Sequence, residues 1–363
     1  MRIDRVEVET LDIPLTEPLT SGSRHWDRRR IALIALHSEV GVGRGEFVAG
    51  EPGGLGQTVP VTALAALRGI HLADPVALEA ALRDIDRQPF VGRVAHAAVE
   101  SAIVDLMAQA RSLPVARVLA DWHAPDVAVN GLIGIVETSA AVARAKALAE
   151  AGYGCLKLKF GAEEGSVLVE RLAAVRDAVG PSVRLRLDFN GSLDTRTAAD
   201  VLGGLRGFDL EYVEQPISTS AGVAALARLR RECGVPIAAD EALRDLRSAR
   251  ALLDAGAVDV LVVKPARVGG LRQARSIVEL ASAAGVRVMV STLLETGIGI
   301  AGALHLAATV DGSHAHGLGT AALLASDLLL RPLRISGGRM AVPAGPGLGV
   351  ELDPDAVERY RAA

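Results

Sequence analysis

Two lysines lie two residues apart in an otherwise apolar run, Lys157 and Lys159 of "CLKLKFG". Side chains of a strand alternate with period two, so both ammonium groups fall on one face. A solvated edge strand would carry them at no cost. The lysine count weighs against that reading. Lysine and arginine total 39, yet only Lys146, Lys157, Lys159 and Lys264 are lysine. A chain that uses arginine wherever charge suffices has kept lysine in three apolar, strand-like places. Lysine can lose its proton inside a protein and arginine cannot. These positions therefore suit a neutral amine or a compact ammonium in an enclosed site.

Acids fall at similar places. Asp188 closes "VRLRLDFNG", Glu214 closes "LEYVEQP", Asp240 closes "PIAADE", and Lys264 closes "VDVLVVKPA". From Lys159 onward the successive gaps are 29, 26, 26 and 24 residues, about the length of one strand–helix unit. Three carboxylates brought together repel unless a cation neutralises them. All three are hard oxygen donors with no histidine or thiolate beside them, which suits Mg²⁺ with positions left for substrate oxygens. The bland alternative is a structural network of acids and lysines. An amine on either side of a metal-bound carboxylate is a layout for removing a proton alpha to that carboxylate through an enediolate. On this reading Lys159 is the base, and Lys157 keeps it neutral by like-charge repulsion.

The elements that must position these groups follow from residue 127 onward. Eight strand-like runs, from "VAVNGLIG" to "SHAHGLGT", alternate with amphipathic helical runs such as "LRQARSIVELASAAG". Eight units in about 200 residues favour a (β/α)₈ barrel over an open sheet. No G-x-G-x-x-G follows any strand, which argues against a dinucleotide site. The expected organisation is an α+β capping domain over 1–122, a barrel over 123–330 and a Gly/Pro-rich tail over 331–363. The tail is expected to pack back on the cap and the barrel mouth. In the cap, strand-like runs at 2–13, 31–37 and 42–49 precede helical periodicity in "AHAAVESAIVDLMAQARSL". "LTSGSRHWDRRR" and "VAGEPGGLG", around Gly53 and Gly54, read as mobile loops able to close over the mouth.

Composition sets the outer bounds. The 363 residues are 50% hydrophobic with a formal net charge of -4, so a large core is available and no basic footprint for nucleic acid exists. Cys155 and Cys233 form no disulfide framework. The opening "MRIDRVEVETLDIPL" has no apolar leader core, and no apolar stretch is long enough for a membrane span. A soluble, cytoplasmic enzyme acting on a small-molecule carboxylate is expected. Assembly with further copies of itself is left open by the sequence.

In order, "KLK", "DFN", "EQP", "ADE", "KPARVGG" and "STLLETGIG" resemble the enolase superfamily, muconate-lactonising subgroup, over nearly the whole chain. The resemblance implies Asp188, Glu214 and Asp240 as Mg²⁺ ligands, with Lys159 and Lys264 as acid/base lysines on opposite faces of the substrate. Within the subgroup, "VNGLIG", "LRLDFNG" and "DLEYVEQP" look most like the o-succinylbenzoate synthases of menaquinone biosynthesis. That likeness implies a syn dehydration in which Lys159 takes the proton and returns it to the departing hydroxide, while Lys264 stays an ammonium. "STLLETGIG" also resembles N-succinylamino-acid racemases and cycloisomerases. Dipeptide epimerases carry Asp-x-Asp on the last barrel strand, where this chain has "SHAHGLG". His314 and His316 share a face there and either line the pocket or pack behind it. Asn190 shares a face with Asp188 and could order the substrate or the metal shell, or cap a loop. Ser291 and Thr292, after the seventh strand, are candidates for the substrate carboxylate. Glu295 is a candidate partner of a lysine or an exposed loop acid, and Arg24 a candidate for a distal carboxylate.

Overall fold

A computed structural model of the chain describes all residues except 22–23, 50–60, 88–91, 162–164, 313 and 363. The first three strands, β1 (Arg5–Ser21), β2 (Arg24–Ser38) and β3 (Gly41–Val48), form an antiparallel sheet in the order β1-β2-β3. Helices α1 (Pro75–Asp86) and α2 (Gly92–Ala110) complete this cap. Gly43 and Gly45 share one face of β3 and let α2 approach backbone to backbone. A Cβ at Gly45 would stand 1.8 Å from the Ala98 carbonyl oxygen.

β1 and β2 run much further than the sequence suggests. After a register shift between Pro14 and Leu19, the hairpin continues through Leu19↔Trp26, Thr20↔His25 and Ser21↔Arg24. "LTSGSRHWDRRR" is thus mostly paired strand rather than the expected loop. Its charges misled, because they are cross-strand partners: Arg28 Nε lies 3.1 Å from Asp12 Oδ1. Arg29 is buried. The second expected loop, with Gly53 and Gly54, lies outside the described residues.

A short strand β4 (Asp126–Ala128) leads into the barrel, followed by β5 (Gly131–Ile133), β6 (Cys155–Lys159), β7 (Arg184–Asp188), β8 (Leu210–Glu214), β9 (Ile237–Ala239), β10 (Val260–Val263) and β11 (Arg287–Val290). β5 to β11 form one parallel sheet in sequence order. Being covered on both faces, its strands are near-continuous apolar runs, such as the fully buried "VLVV" of β10. Helices return the chain between strands. One of them, Leu246–Asp254, starts with a reciprocal cap between Asp245 and Ser248.

The eighth strand is a correction. Among the described residues of "SHAHGLGT" only two parallel bridges form, Val129↔His316 and Ser291↔Gly317, and His316 and Gly317 join the first and last strands into a ring. Glycine supplies no side chain to stabilise a strand here. A Cβ at Gly317 would also come within 2.6 Å of Ser291 Oγ. The tail forms β12 (Ile335–Ser336) and β13 (Arg339–Ala341). It packs on the cap, with Asp12 N donating to the Tyr360 carbonyl at 2.9 Å. β13 pairs with β4, ahead of the first barrel strand, and so away from the strand ends that form the mouth.

Candidate active site

Register places the chemistry. Lys159 of β6 pairs with Asp188 of β7, Asp188 with Glu214 of β8, and Glu214 with Ala238 of β9. Asp240 lies two residues past Ala238 and Lys264 directly past Val263, so all five groups gather at the same ends of neighbouring strands. Functional side chains of such barrels come from these C-terminal ends.

The three acids are buried beneath the mouth, each about 1% exposed, so their charges must be met by partners. Lys157 Nζ lies 2.9 Å from Asp188 Oδ2 and 2.7 Å from Glu214 Oε1. Lys159 Nζ lies 3.0 Å from the same Asp188 oxygen and donates to Asn190 Oδ1 at 2.8 Å. Lys264 Nζ and Arg267 take the two oxygens of Asp240, at 2.7 and 2.5 Å. Burial alone would lower the pKa of Lys157, but Asp188 and Glu214 hold it well above its ordinary value. Lys157 is therefore a fixed ammonium clamped by two carboxylates, and it shares the Asp188 oxygen with Lys159. Burial acts the opposite way on the acids and raises Asp188 and Asp240, yet Lys157 and Lys159 pull the first below its usual range, and Arg267 and Lys264 pull the second down. Glu214 goes the other way: burial, with Asp188 and Asp240 adding repulsion, outweighs Lys157 and raises it.

Among the described residues, no three carboxylate, imidazole or thiol side chains stand together as a ready ligand shell. The acids are instead held by ammonium groups, and Lys157 is a cation already bridging two of them. The donor set nevertheless fits a hard divalent ion. It is all carboxylate, sits at one depth, and holds Glu214 in a place where added positive charge would favour its ionised form.

Above these groups is a cavity of about 430 Å³, lined at its floor by Lys157, Lys159, Asp188, Lys264 and Arg267. Its walls include the apolar side chains of Leu132, Leu148 and Leu293 and the ring of Tyr153, and the cap contributes Leu19 and Trp26. Asn190, Ser291 and Thr292 line it as expected. Ser291 Oγ and Thr292 Oγ1, however, both lie 3.3 Å from the Gly317 carbonyl as donors, so their hydrogens serve ring closure in this arrangement.

Glu295 is neither an exposed loop acid nor a lysine partner. It is 2% exposed and accepts from Leu293 N. It sits beside Glu46 of β3 in a separate small void between cap and barrel. Burial, then Glu46, pushes its pKa up to about 7. Arg24 begins β2, and its side chain lies outside the described residues. The histidines pack behind the pocket: His316 Nδ1 accepts from Val290 N, and His314 Nδ1 lies 3.0 Å from Glu211. Sequence reasoning passed over Arg267 and Glu241, although both stand inside quoted motifs. Their adjacency to Lys264 and Asp240 was the available signal.

A capped parallel barrel with acids and lysines at its mouth is the frame of an enzyme that acts on a small molecule held between cap and strand ends. Residues 140–356 match the enolase C-terminal domain-like family. The chain belongs to the enolase superfamily, in its muconate-lactonising subgroup. It is 31% identical over 371 residues to muconate cycloisomerase 1 of Rhodococcus opacus, covering 99% of this chain and 98% of that one. It is 39% identical over 254 residues to the o-succinylbenzoate synthase of Thermobifida fusca, covering 67% and 77%. Among solved structures, a dipeptide epimerase from Enterococcus faecalis, complexed with Mg and L-Leu-L-Tyr, is 27% identical with a TM-score of 0.87, covering 96% of this chain and 99% of that one.

Proposed function

We propose that this enzyme removes a proton alpha to a substrate carboxylate in a Mg²⁺-dependent reaction, and that the reaction is the syn dehydration yielding o-succinylbenzoate in menaquinone biosynthesis. The observation that carries this reading is that Lys159 and Lys264, from the second and sixth positions of the ring, line one cavity with the acids between them. The 39% identity to an o-succinylbenzoate synthase supports the choice of dehydration. Asp188, Glu214 and Asp240 would hold Mg²⁺, which offsets negative charge as it builds on the substrate carboxylate.

The chain's own residues do the rest. The Lys159 amine takes the alpha proton as the carbon–hydrogen bond breaks. The electron pair forms the new double bond as the neighbouring carbon–oxygen bond breaks. The Lys159 ammonium then protonates the departing hydroxide, so water leaves and the amine is restored. Lys264 remains an ammonium whose charge faces the developing anion. Apolar walls accommodate a hydrocarbon ring.

Racemisation of an N-succinylamino acid is the second reading, because Lys264 also lines the cavity and could deliver a proton to the opposite face. The test compares Lys159→Arg and Lys264→Arg in D₂O, with the cyclohexadiene dehydration substrate and with N-succinylamino acids. Dehydration should survive measurably in Lys264→Arg and vanish in Lys159→Arg, since arginine keeps the charge but cannot act as base. No dehydration by the unmodified enzyme, with deuterium entering both enantiomers of an N-succinylamino acid, would replace the first reading by the second.

A further inference from the structure

Glu241 follows Asp240 and lines the cavity. Its Oε1 accepts from Asn190 Nδ2 at 3.0 Å, and Asn190 Oδ1 accepts from Lys159 Nζ at 2.8 Å. Asn190 is held at φ +44°, a left-handed conformation that asparagine tolerates better than most residues, with its backbone N–H on Asp188 Oδ1. One side chain thus ties Glu241 to the Lys159 side of the cavity. The other oxygen of Glu241 is different. Oε2 is buried and has no hydrogen-bond partner among the described residues.

A buried carboxylate oxygen without a donor is costly, and each native example calls for an explanation. The cations nearby are engaged with other acids: Lys264 and Arg267 with Asp240, and Lys157 with Asp188 and Glu214. We propose that Glu241 Oε2 receives a hydrogen-bond donor carried by the substrate on the face that Lys159 serves. The substrate class is then a carboxylate with an O–H or N–H next to the alpha carbon. In the dehydration reading, on which this inference rests for the placement of the substrate carboxylate, the donor is the hydroxyl that leaves on the side of the abstracted proton. In an N-acylamino acid it is the amide N–H. A donor-free diene diacid would set only acceptors and hydrocarbon against Oε2, leave it desolvated, and bind worse.

The test is calorimetric binding of four small carboxylates to the Mg²⁺-loaded protein, in two pairs. The first is trans-2-hydroxycyclohexanecarboxylate, whose hydroxyl lies on the face of the alpha proton, against cyclohexanecarboxylate. The second is N-acetylphenylalanine against its N-methyl analogue. The donor-bearing member of at least one pair should bind about tenfold tighter, and which pair identifies the donor as hydroxyl or amide. Glu241→Gln keeps an oxygen for Asn190 and replaces the second acceptor with an NH₂. It should erase that gap while leaving the donor-free ligand unchanged. Absence of a gap in both pairs for the unmodified protein overturns the inference without recourse to any variant. So does a gap that persists in Glu241→Gln, or uniform weakening of all four ligands, or a loss confined to Mg²⁺ affinity. The readout is affinity and not turnover, so the result stands apart from whether the proposed reaction is found.

Discussion

Burial raises the Glu295 carboxyl to about 7, and the Glu46 carboxyl beside it adds to the shift. Glu46 is raised as well, by burial first, although Thr296 and Gly299 donate to it at the start of the helix Gly297–Ala307. The folded state therefore binds a proton on Glu295 more tightly than the unfolded chain, whose value is 4.5. The stability this contributes is fully present below about pH 4.5 and is lost as pH rises through about 7. A rise of that size corresponds to about 3 kcal/mol. Glu295→Gln mimics the protonated form and still accepts from Leu293 N, so it should stabilise the protein increasingly from pH 5 to pH 8. Denaturant unfolding across that range measures it, and parallel curves for variant and parent would show that Glu295 does not titrate there. The pairing was invisible in the sequence, because Glu46 and Glu295 belong to the cap and to the last barrel crossover. The lysines and acids were legible for the opposite reason. Lys159, Asp188, Glu214, Asp240 and Lys264 each stand at or just past the end of a largely buried strand, where a charge needs a purpose.

At the scale of elements, β3 and α2 are joined through glycine. A Cβ at Gly43 would meet the Ala102 carbonyl oxygen at 2.1 Å, and one at Gly45 the Ala98 oxygen at 1.8 Å, both backbone atoms that cannot turn aside. Gly45→Ala must therefore push helix and sheet apart and is expected to cost about 3 kcal/mol, at the upper end for overpacking. Chemical denaturation reads this directly, and a loss under about 1 kcal/mol would mean the two elements part easily. The sequence displays those glycines in "GVGRGEFV" and the helical period of "AHAAVESAIVDLMAQARSL", but not that the two meet, since Ala98 lies 53 residues beyond Gly45. The same distinction runs through the barrel. Strands that bury both faces read clearly as apolar runs with spaced charged ends. The eighth, reduced to His316 and Gly317, borrows its hydrogen bonds from Ala128, Asn130 and Val290, and no local pattern encodes that. The extended β1–β2 hairpin was hidden by "DRRR", whose arginines look solvated until Asp12 is placed across from them.

At the scale of the whole molecule, cap and barrel are joined by buried carboxylates that accept backbone N–H groups across the boundary. Glu46 takes Thr296 N and Gly299 N, Glu100 takes Leu271 N and Arg272 N, and Asp105 of α2 takes Leu348 N in the tail. Removing the cap would leave these barrel donors unmet, so the two parts are expected to unfold together. The acids at the mouth couple this unit to the proposed metal. Mg²⁺ would bind the folded chain, where Asp188, Glu214 and Asp240 converge, and not the unfolded one, so it must raise the unfolding midpoint by mass action. At one hundred times its dissociation constant the gain is about 2.7 kcal/mol. The expected result is a single unfolding transition that climbs with Mg²⁺ and returns on chelation, together with loss of turnover in the chelated enzyme. Asp188→Asn, Glu214→Gln and Asp240→Asn should each remove the Mg²⁺ dependence and lower turnover by more than about 100-fold, the upper range for groups that only support metal ligands. Full turnover after chelation would remove the metal from the mechanism. Two transitions, with only one moving on addition of Mg²⁺, would instead show that the buried carboxylates of the cap do not bind the halves into one cooperative body.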